Sequence, residues 1–568
     1  MKRRSIISQI LVIVMLLSLV GCGSDAIEKE TTEALNEEEY EQQMLEAETT
    51  PYGKYPETIY YSLGKVTGDN NSNMPAGDTY ENNEYTRYLL DKINVQNKDA
   101  FEANEYKDYD EKAEMDIKTR NIPDIMVVSD YDTLKEVVEA GLVEDLTDVY
   151  EKCATPRIKE IYDSYGESVL STAMFDGKLM AIPETSIATG PSLIWLRKDW
   201  MDKLGLDDPK TLEDVLDIVR EFIKKDPGEN GPGNTVGLVC DEELTGDTGY
   251  AYEYQLDMIF ASFGAYPKQW IEKDGEAVYG SVQPEAREAL IKIHELYEEG
   301  VIDNSFLFRT KSNIVELIGG GQCGSFFGPW WAPNNPLCDV IATDTEADWR
   351  PYLVSTDGSP SGKISYASQK SVGQYVVVRK GFEHPEIAVK IISVLFDYAR
   401  YEGDDVEGIK AYYEMNVAPT AYPLTINIDY KDALNRCYKD LTAAMNGEKK
   451  ESELPILESS YYNVCKDYES KTEHTPEEWA AYTSRITALG LISKAEASGR
   501  LDEVESLYFG ETETMKTKWL SLCESEKEIY LQIVTGDKNI SYFDVFVKKW
   551  QSGGGIKITN EVNDELSN

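Results

Sequence analysis

The stretch from residue 122 to 151, IPDIMVVSDYDTLKEVVEAGLVEDLTDVYE, constrains the fold of this chain more than any other. Its four successive apolar residues, IMVV, read as a buried strand. Leu134, Val137 and Val138 then share one face of a helix, which Gly141 ends. A strand feeding a helix, in a chain that keeps alternating the two patterns, predicts an α/β fold with a mostly parallel sheet. ETIYYSLGKV and DGKLMAIPETS read as further strands, and TRYLLDKINV and HPEIAVKIISVLFDYA as helices. Thr211 stands as an N-cap before LEDVLDIV. The last third reads as mainly helical, with Trp479, Trp519 and Trp550 as structural side chains.

The N-terminus sets the compartment. Lys2, Arg3 and Arg4 precede an apolar run from Ile6 to Val20 that ends Leu19-Val20-Gly21-Cys22. The run is about 15 residues, short of the roughly 20 that span a bilayer. Residues 1–21 therefore read as a secretory signal followed by a bacterial lipobox. By resemblance to bacterial lipoproteins, Cys22 is acylated and becomes the mature N-terminus and sole membrane attachment. Residues 22–51 are acidic and poor in aromatics, and read as a solvated tether, with a short amphipathic helix as the other reading open to them.

The remaining stretch of about 515 residues exceeds one ordinary core, so two or more domains are expected. The formal net charge is −47, and loss of the signal removes three positive side chains. Nucleic acid is excluded as a partner, because phosphate contacts need a basic face. Beyond Cys22 there are seven cysteines, an odd number with no C-x-x-C, which read as buried free thiols. The three histidines, His294, His384 and His474, are far apart, and no triad or zinc site is read from them.

SFFGPWWAP, from Ser325 to Pro333, sets two adjacent tryptophans between Gly-Pro and Ala-Pro, where helix interior is unfavourable. The stretches IPDIMVVSD, GLVEDLTD, DGKLMAIP, LRKDWMDKLGL, PKTLEDV, DPGENGPGNTVGL, DGEAVYG, LYEEGVID, GPWW and FDVFVKKWQSGGGIKITNEVND occur in this order. Together they resemble the family 1 extracellular solute-binding proteins of ABC importers, in the large lipoprotein branch common in Gram-positive bacteria. The likeness runs from about residue 52 to 565. It implies two α/β lobes, each discontinuous, joined by a hinge, in a periplasmic-binding-protein-like fold. Lobe 1 is expected from 52–185 and 372–435, and lobe 2 from 186–371 and 436–568. Crossings are expected near Pro183–Pro191, Lys370–Tyr375 and 430–440.

The resemblance also gives the tryptophans a role. GPWW is similar to the Gly-Pro-Trp segment of maltose-type binding proteins, where an aromatic ring stacks on a sugar. A pyranose has an apolar C–H face and a hydroxyl rim, which flat rings and carboxylates or amides match. Trp330 and Trp331 are thus candidate platforms, with an inter-lobe core corner as the other role open to either. Asp130 and Tyr131 follow the IMVV strand, at the carboxyl end where open α/β sheets bind ligands. Glu184, at the first crossing, is a candidate hydroxyl acceptor, and Tyr252 a candidate aromatic contact. Arg197 reads as structural.

DPGENGPGNTVGL resembles the calcium loop of relatives, with Asp226, Asn230 and Asn234 as its candidate ligands. Gly228 and Gly237 stand where further ligands belong, and one carboxylate is too little charge for tight calcium binding. The loop reads as vestigial, and no cofactor is expected. The resulting expectation is a monomeric receptor, lipid-anchored on the outer face of a Gram-positive cell membrane. It captures an oligosaccharide by hinge closure and passes it to an ABC permease, with no catalytic residue. A peptide ligand or a sensory partner on the same fold is the alternative, and a secreted glycoside hydrolase or lyase a weaker one.

Overall fold

The structure, a computed structural model, describes residues 36–567 apart from 68–72, 167, 250, 251, 404 and 416. The signal, Cys22 and the first part of the tether lie outside the described residues. No described helix is long and apolar enough to cross a membrane.

The first lobe is built on a five-stranded sheet in the order Val95–Ala103, Ile59–Val66, Ile125–Val128, Tyr375–Val378, Ile182–Pro183. The first three strands are parallel, as strand–helix alternation dictates. Tyr375–Val378 arrives from some 250 residues later and runs antiparallel to both neighbours. All four residues of Ile125–Val128 are buried. They lead directly into the Tyr131–Glu139 helix, where Asp130 accepts from the Thr133 N–H at 2.7 Å and caps the first turn. Leu134 and Val137 turn inward, while Val138 is only half-buried.

The second lobe departs from the parallel expectation. Its sheet, Ser325–Gly328, Leu193–Arg197, Trp349–Tyr352, is antiparallel throughout. Arg197 is structural here: its guanidinium holds Asp199 at 2.7 Å and lies over Trp200 at 5.1 Å. One core joins Ala47 to Ile182 with Val372 to Tyr430; another joins Ile194 to Ile364 with Ala495 to Val562. The last third is not only helical. Leu501–Val504 is a strand, paired in parallel with Ile364–Ala367.

Three segments cross between the lobes side by side. The Thr185 N–H donates to Asn427 O, the Ser186 N–H to Ser371 O and the Ala188 N–H to Lys431 O. The Glu184 N–H closes on Gln374 O. The third crossing thus lies at 427–431, a few residues before its expected place.

The tether is shorter than its composition suggests. Glu37–Thr49 is a helix, opened by a capping box in which the Glu39 N–H donates to Asn36 Oδ1 at 3.0 Å and the Asn36 N–H to Glu39 Oε2 at 3.2 Å. Ala47 on this helix is buried in the first core. The Lys390 ammonium, fully buried, donates to the carbonyls of Ala47, Thr50 and Gly53 at 2.7, 2.8 and 2.8 Å. Lys390→Met is expected to strand those carbonyls and cost about 3 kcal/mol. Urea unfolding reads the loss, and limited proteolysis shows cleavage moving into residues 37–53.

The seven cysteines among the described residues are free thiols, five of them buried. His294 meets Val534 O at 3.0 Å and His474 stacks on Tyr468 at 3.9 Å, both structural placements.

Candidate functional site

Between the lobes lies a cavity of about 1130 Å³. Its lobe 1 wall starts where the IMVV strand gives way to helix, so Tyr131 and Lys135 project from the first turns after the sheet's carboxyl edge. Ser168, Ser171 and Thr172 extend this wall with hydroxyls. The crossings supply the floor: Ser186, Gln369 and Ser371, with Lys370 and Lys431. The lobe 2 wall is the loop after the Leu501–Val504 strand, carrying Glu505, Tyr508, Phe509 and Glu511, with Glu565 beside it.

Aromatic rings face the cavity from both sides. Tyr131 is 39 % exposed and stacks on Phe175, with centroids 6.1 Å apart and planes 15° from parallel. Tyr508 is fixed by a hydrogen bond from its hydroxyl to Glu565 Oε2 at 2.6 Å. Burial, and then that bond, push its phenol pKa upward. The Ser506 hydroxyl is buried and has no hydrogen-bond partner among the described residues. Asp132 has its pKa raised by burial first, and then by Asp130 and by Glu511 and Glu565 across the cleft. The walls therefore combine flat apolar faces with hydroxyls, an amide and carboxylates, the set that a hydroxyl-rich ligand needs.

Of the six ligand residues read from sequence, Tyr131 alone lines this cavity. Asp130 spends its side chain on the helix cap. Glu184 lies in the crossing, where it accepts from the Asn427 N–H at 3.0 Å, and burial raises its pKa to about 7. It ties two crossing segments together and does not reach the cavity. Tyr252 is 37 % exposed and does not line the cavity. Trp330 is 7 % exposed, in a core with Leu434 and Leu489, and the Arg485 guanidinium covers its ring at 4.6 Å. Trp331 is half-buried against the same core. The GPWW corner is thus packed under helices from the 433–497 segment, and neither tryptophan lines the inter-lobe cavity.

Sequence reasoning missed Tyr508 and Phe509. The signal was present in the triplet Tyr508-Phe509-Gly510, an aromatic pair next to a glycine, the same kind of signal that marked GPWW.

The 226–235 loop is closed on itself. Asp226 Oδ1 accepts from the Asn230 N–H at 2.9 Å and the Thr235 hydroxyl at 2.5 Å, and Oδ2 from the Gly231 N–H at 2.8 Å. The Asn230 amide donates to Gly321 O, and the Asn234 amide to Asn230 O. Among the described residues no group of three His, Cys, Asp or Glu side chains is placed to hold a metal.

Residues 91–399, more than half of the chain, match the family model described as bacterial extracellular solute-binding protein. The chain belongs to that family. Among the solute-binding proteins it resembles is the polygalacturonan/rhamnogalacturonan-binding protein YtcQ of Bacillus subtilis, 21 % identical over 467 residues, 78 % of this chain and 80 % of YtcQ. Another is the fructooligosaccharide ABC transporter substrate-binding protein FusA of Streptococcus pneumoniae serotype 4. It is 25 % identical over 287 residues, 48 % of this chain and 49 % of FusA. In fold, the chain is similar to an HMO binding ABC-transporter associated solute binding protein of Bifidobacterium longum infantis. The TM-score is 0.57 at 14 % identity, over 90 % of this chain and 99 % of that one. The two-lobe solute-binding architecture expected from sequence is therefore the architecture of this chain.

Proposed function

We propose that this solute-binding protein captures an oligosaccharide between its lobes and hands it, uncleaved, to an ABC permease. The observation that carries this reading is the inter-lobe cavity, with Tyr131 and Tyr508 on opposite walls and hydroxyls and carboxylates between them. Ligand that touches both walls favours the closed state over the open one, and that difference in affinity drives closure about the three crossings. Binding of this kind breaks no bond and needs no catalytic residue. Polygalacturonan and fructo-oligosaccharide, named for YtcQ and FusA, make glycans the first ligands to try.

Five carboxylates line the cavity, Asp132, Glu503, Glu505, Glu511 and Glu565, against three lysines, Lys135, Lys370 and Lys431. That balance repels a polyanion and suits a neutral glycan, whose hydroxyls donate to carboxylates. Calorimetry with fructo-, malto- and galacturono-oligosaccharides, each recovered and sized afterwards, tests the reading. The expected result is saturable binding of a neutral glycan recovered intact; cleaved sugar, or no binding by any of them, would sink it.

Acylation of Cys22 would anchor this receptor at the outer membrane face of a Gram-positive cell. Its support is the lipobox at Leu19–Cys22. The 226–235 loop needs no calcium, because its own N–H and hydroxyl groups occupy the Asp226 carboxylate. The unfolding temperature is expected to be the same in excess EDTA and in calcium, while Asp226→Ala lowers it in both. Calcium-dependent stabilisation of the unsubstituted chain would contradict this.

A further inference from the structure

Behind the loop that forms the lobe 2 wall lies a second cavity of about 450 Å³. It shares Lys370, Tyr508, Phe509 and Gly510 with the cleft and otherwise belongs to the second lobe. The long Met515–Val534 helix presents Trp519, Cys523 and Glu526 to it, at the i, i+4, i+7 spacing that puts all three on one face. Trp519 is half-buried and backed by Trp270, with centroids 6.2 Å apart and planes 22° from parallel. Tyr279 meets its edge at 5.1 Å and 68°.

The polar side of this chamber is unusual. Glu526 is 2 % exposed, and neither carboxylate oxygen makes a hydrogen bond among the described residues. A buried carboxylate whose oxygens lack a hydrogen-bond partner at full bonding distance is costly, and the Tyr279 and Ser281 hydroxyls beside it compensate only in part. Burial lifts its pKa to about 7, with the Tyr279 and Ser281 hydroxyls near enough to oppose the rise. Lys268 and Lys527 are both held by Glu243, at 2.9 and 2.6 Å. The volume lies within the range of small-molecule sites.

We propose that this chamber is a subsite of the cleft that receives one neutral sugar ring at the end of a bound oligosaccharide, its apolar face on Trp519 and a hydroxyl donating to Glu526. This rests on the oligosaccharide reading above. Lys370, lining both cavities, marks the passage between them. A chain of rings in the cleft reaches the chamber only beyond a certain length, so affinity rises in a step as the ligand lengthens.

Calorimetry on the full chain, with fructo-, malto- and galacto-oligosaccharide ladders, tests this. The unsubstituted chain is expected to show the step at one ring number. Glu526→Gln, which keeps the packing, is expected to remove the step by weakening only the longer ligands, about 10- to 100-fold. Trp519→Ala acts in the same direction. A step that survives both substitutions overturns the subsite and leaves the cleft reading standing, and so does Glu526→Gln weakening short and long ligands alike. Failure of the unsubstituted chain to bind any ladder overturns both.

Discussion

Replacing Tyr508 with alanine is expected to weaken oligosaccharide binding by about 10- to 100-fold, and Tyr131→Ala by a similar factor. Each ring covers an apolar sugar face, and burying an aromatic side chain against a ligand is worth about 1.5–3 kcal/mol. The two rings belong to different lobes, so each loss weakens the closed state specifically. Tyr131→Ala also removes the partner stacked on Phe175. Trp330→Ala behaves differently. Its ring is core, so truncation costs about 3–5 kcal/mol of stability, while the affinity of the folded fraction changes little. Calorimetry and urea unfolding of the three variants separate the two behaviours, and loss of binding without loss of stability in Trp330→Ala would restore the GPWW loop as the site.

The second large effect is at the hinge. Arg400 is buried in the first lobe and donates to Ile428 O at 3.2 Å, Asp429 Oδ2 at 3.0 Å and Asn427 Oδ1 at 3.1 Å. These acceptors form the third crossing, where the Asp429 N–H also donates to the Thr185 hydroxyl at 2.8 Å. Arg400→Met leaves Asp429 without its cation and Ile428 O without a donor. The expected loss is about 3–5 kcal/mol, the range for breaking one side of a buried ion pair. Urea unfolding measures it, and Arg400→Lys recovers only part, since the guanidinium serves these acceptors from two nitrogens of a planar fork and an ammonium offers a single one.

What was legible in the sequence was local. The IMVV strand, its helix and Tyr131 at their junction follow from residues 125–141 alone, with no help from distant chain. The family resemblance supplied the two lobes. The misplacements are non-local. Trp330 lies in a core, away from the cavity lining, because helices from more than a hundred residues later pack over it. Tyr508 and Phe509 reach the cleft only because Leu501–Val504 pairs with Ile364–Ala367, a partner some 137 residues earlier. The helix at Glu37–Thr49 was obscured by acidic composition, although the Asn36–Glu39 capping box was written in the chain. Its docking depends on Lys390, which no local pattern connects to it.

Small-angle X-ray scattering of the protein with and without its tightest-binding glycan reads closure of the lobes itself. The radius of gyration is expected to fall when the ligand saturates, as the lobes close, and not to fall when the same glycan is added at that concentration to Tyr508→Ala. An unchanged radius with ligand fully bound and intact would contradict capture between the lobes.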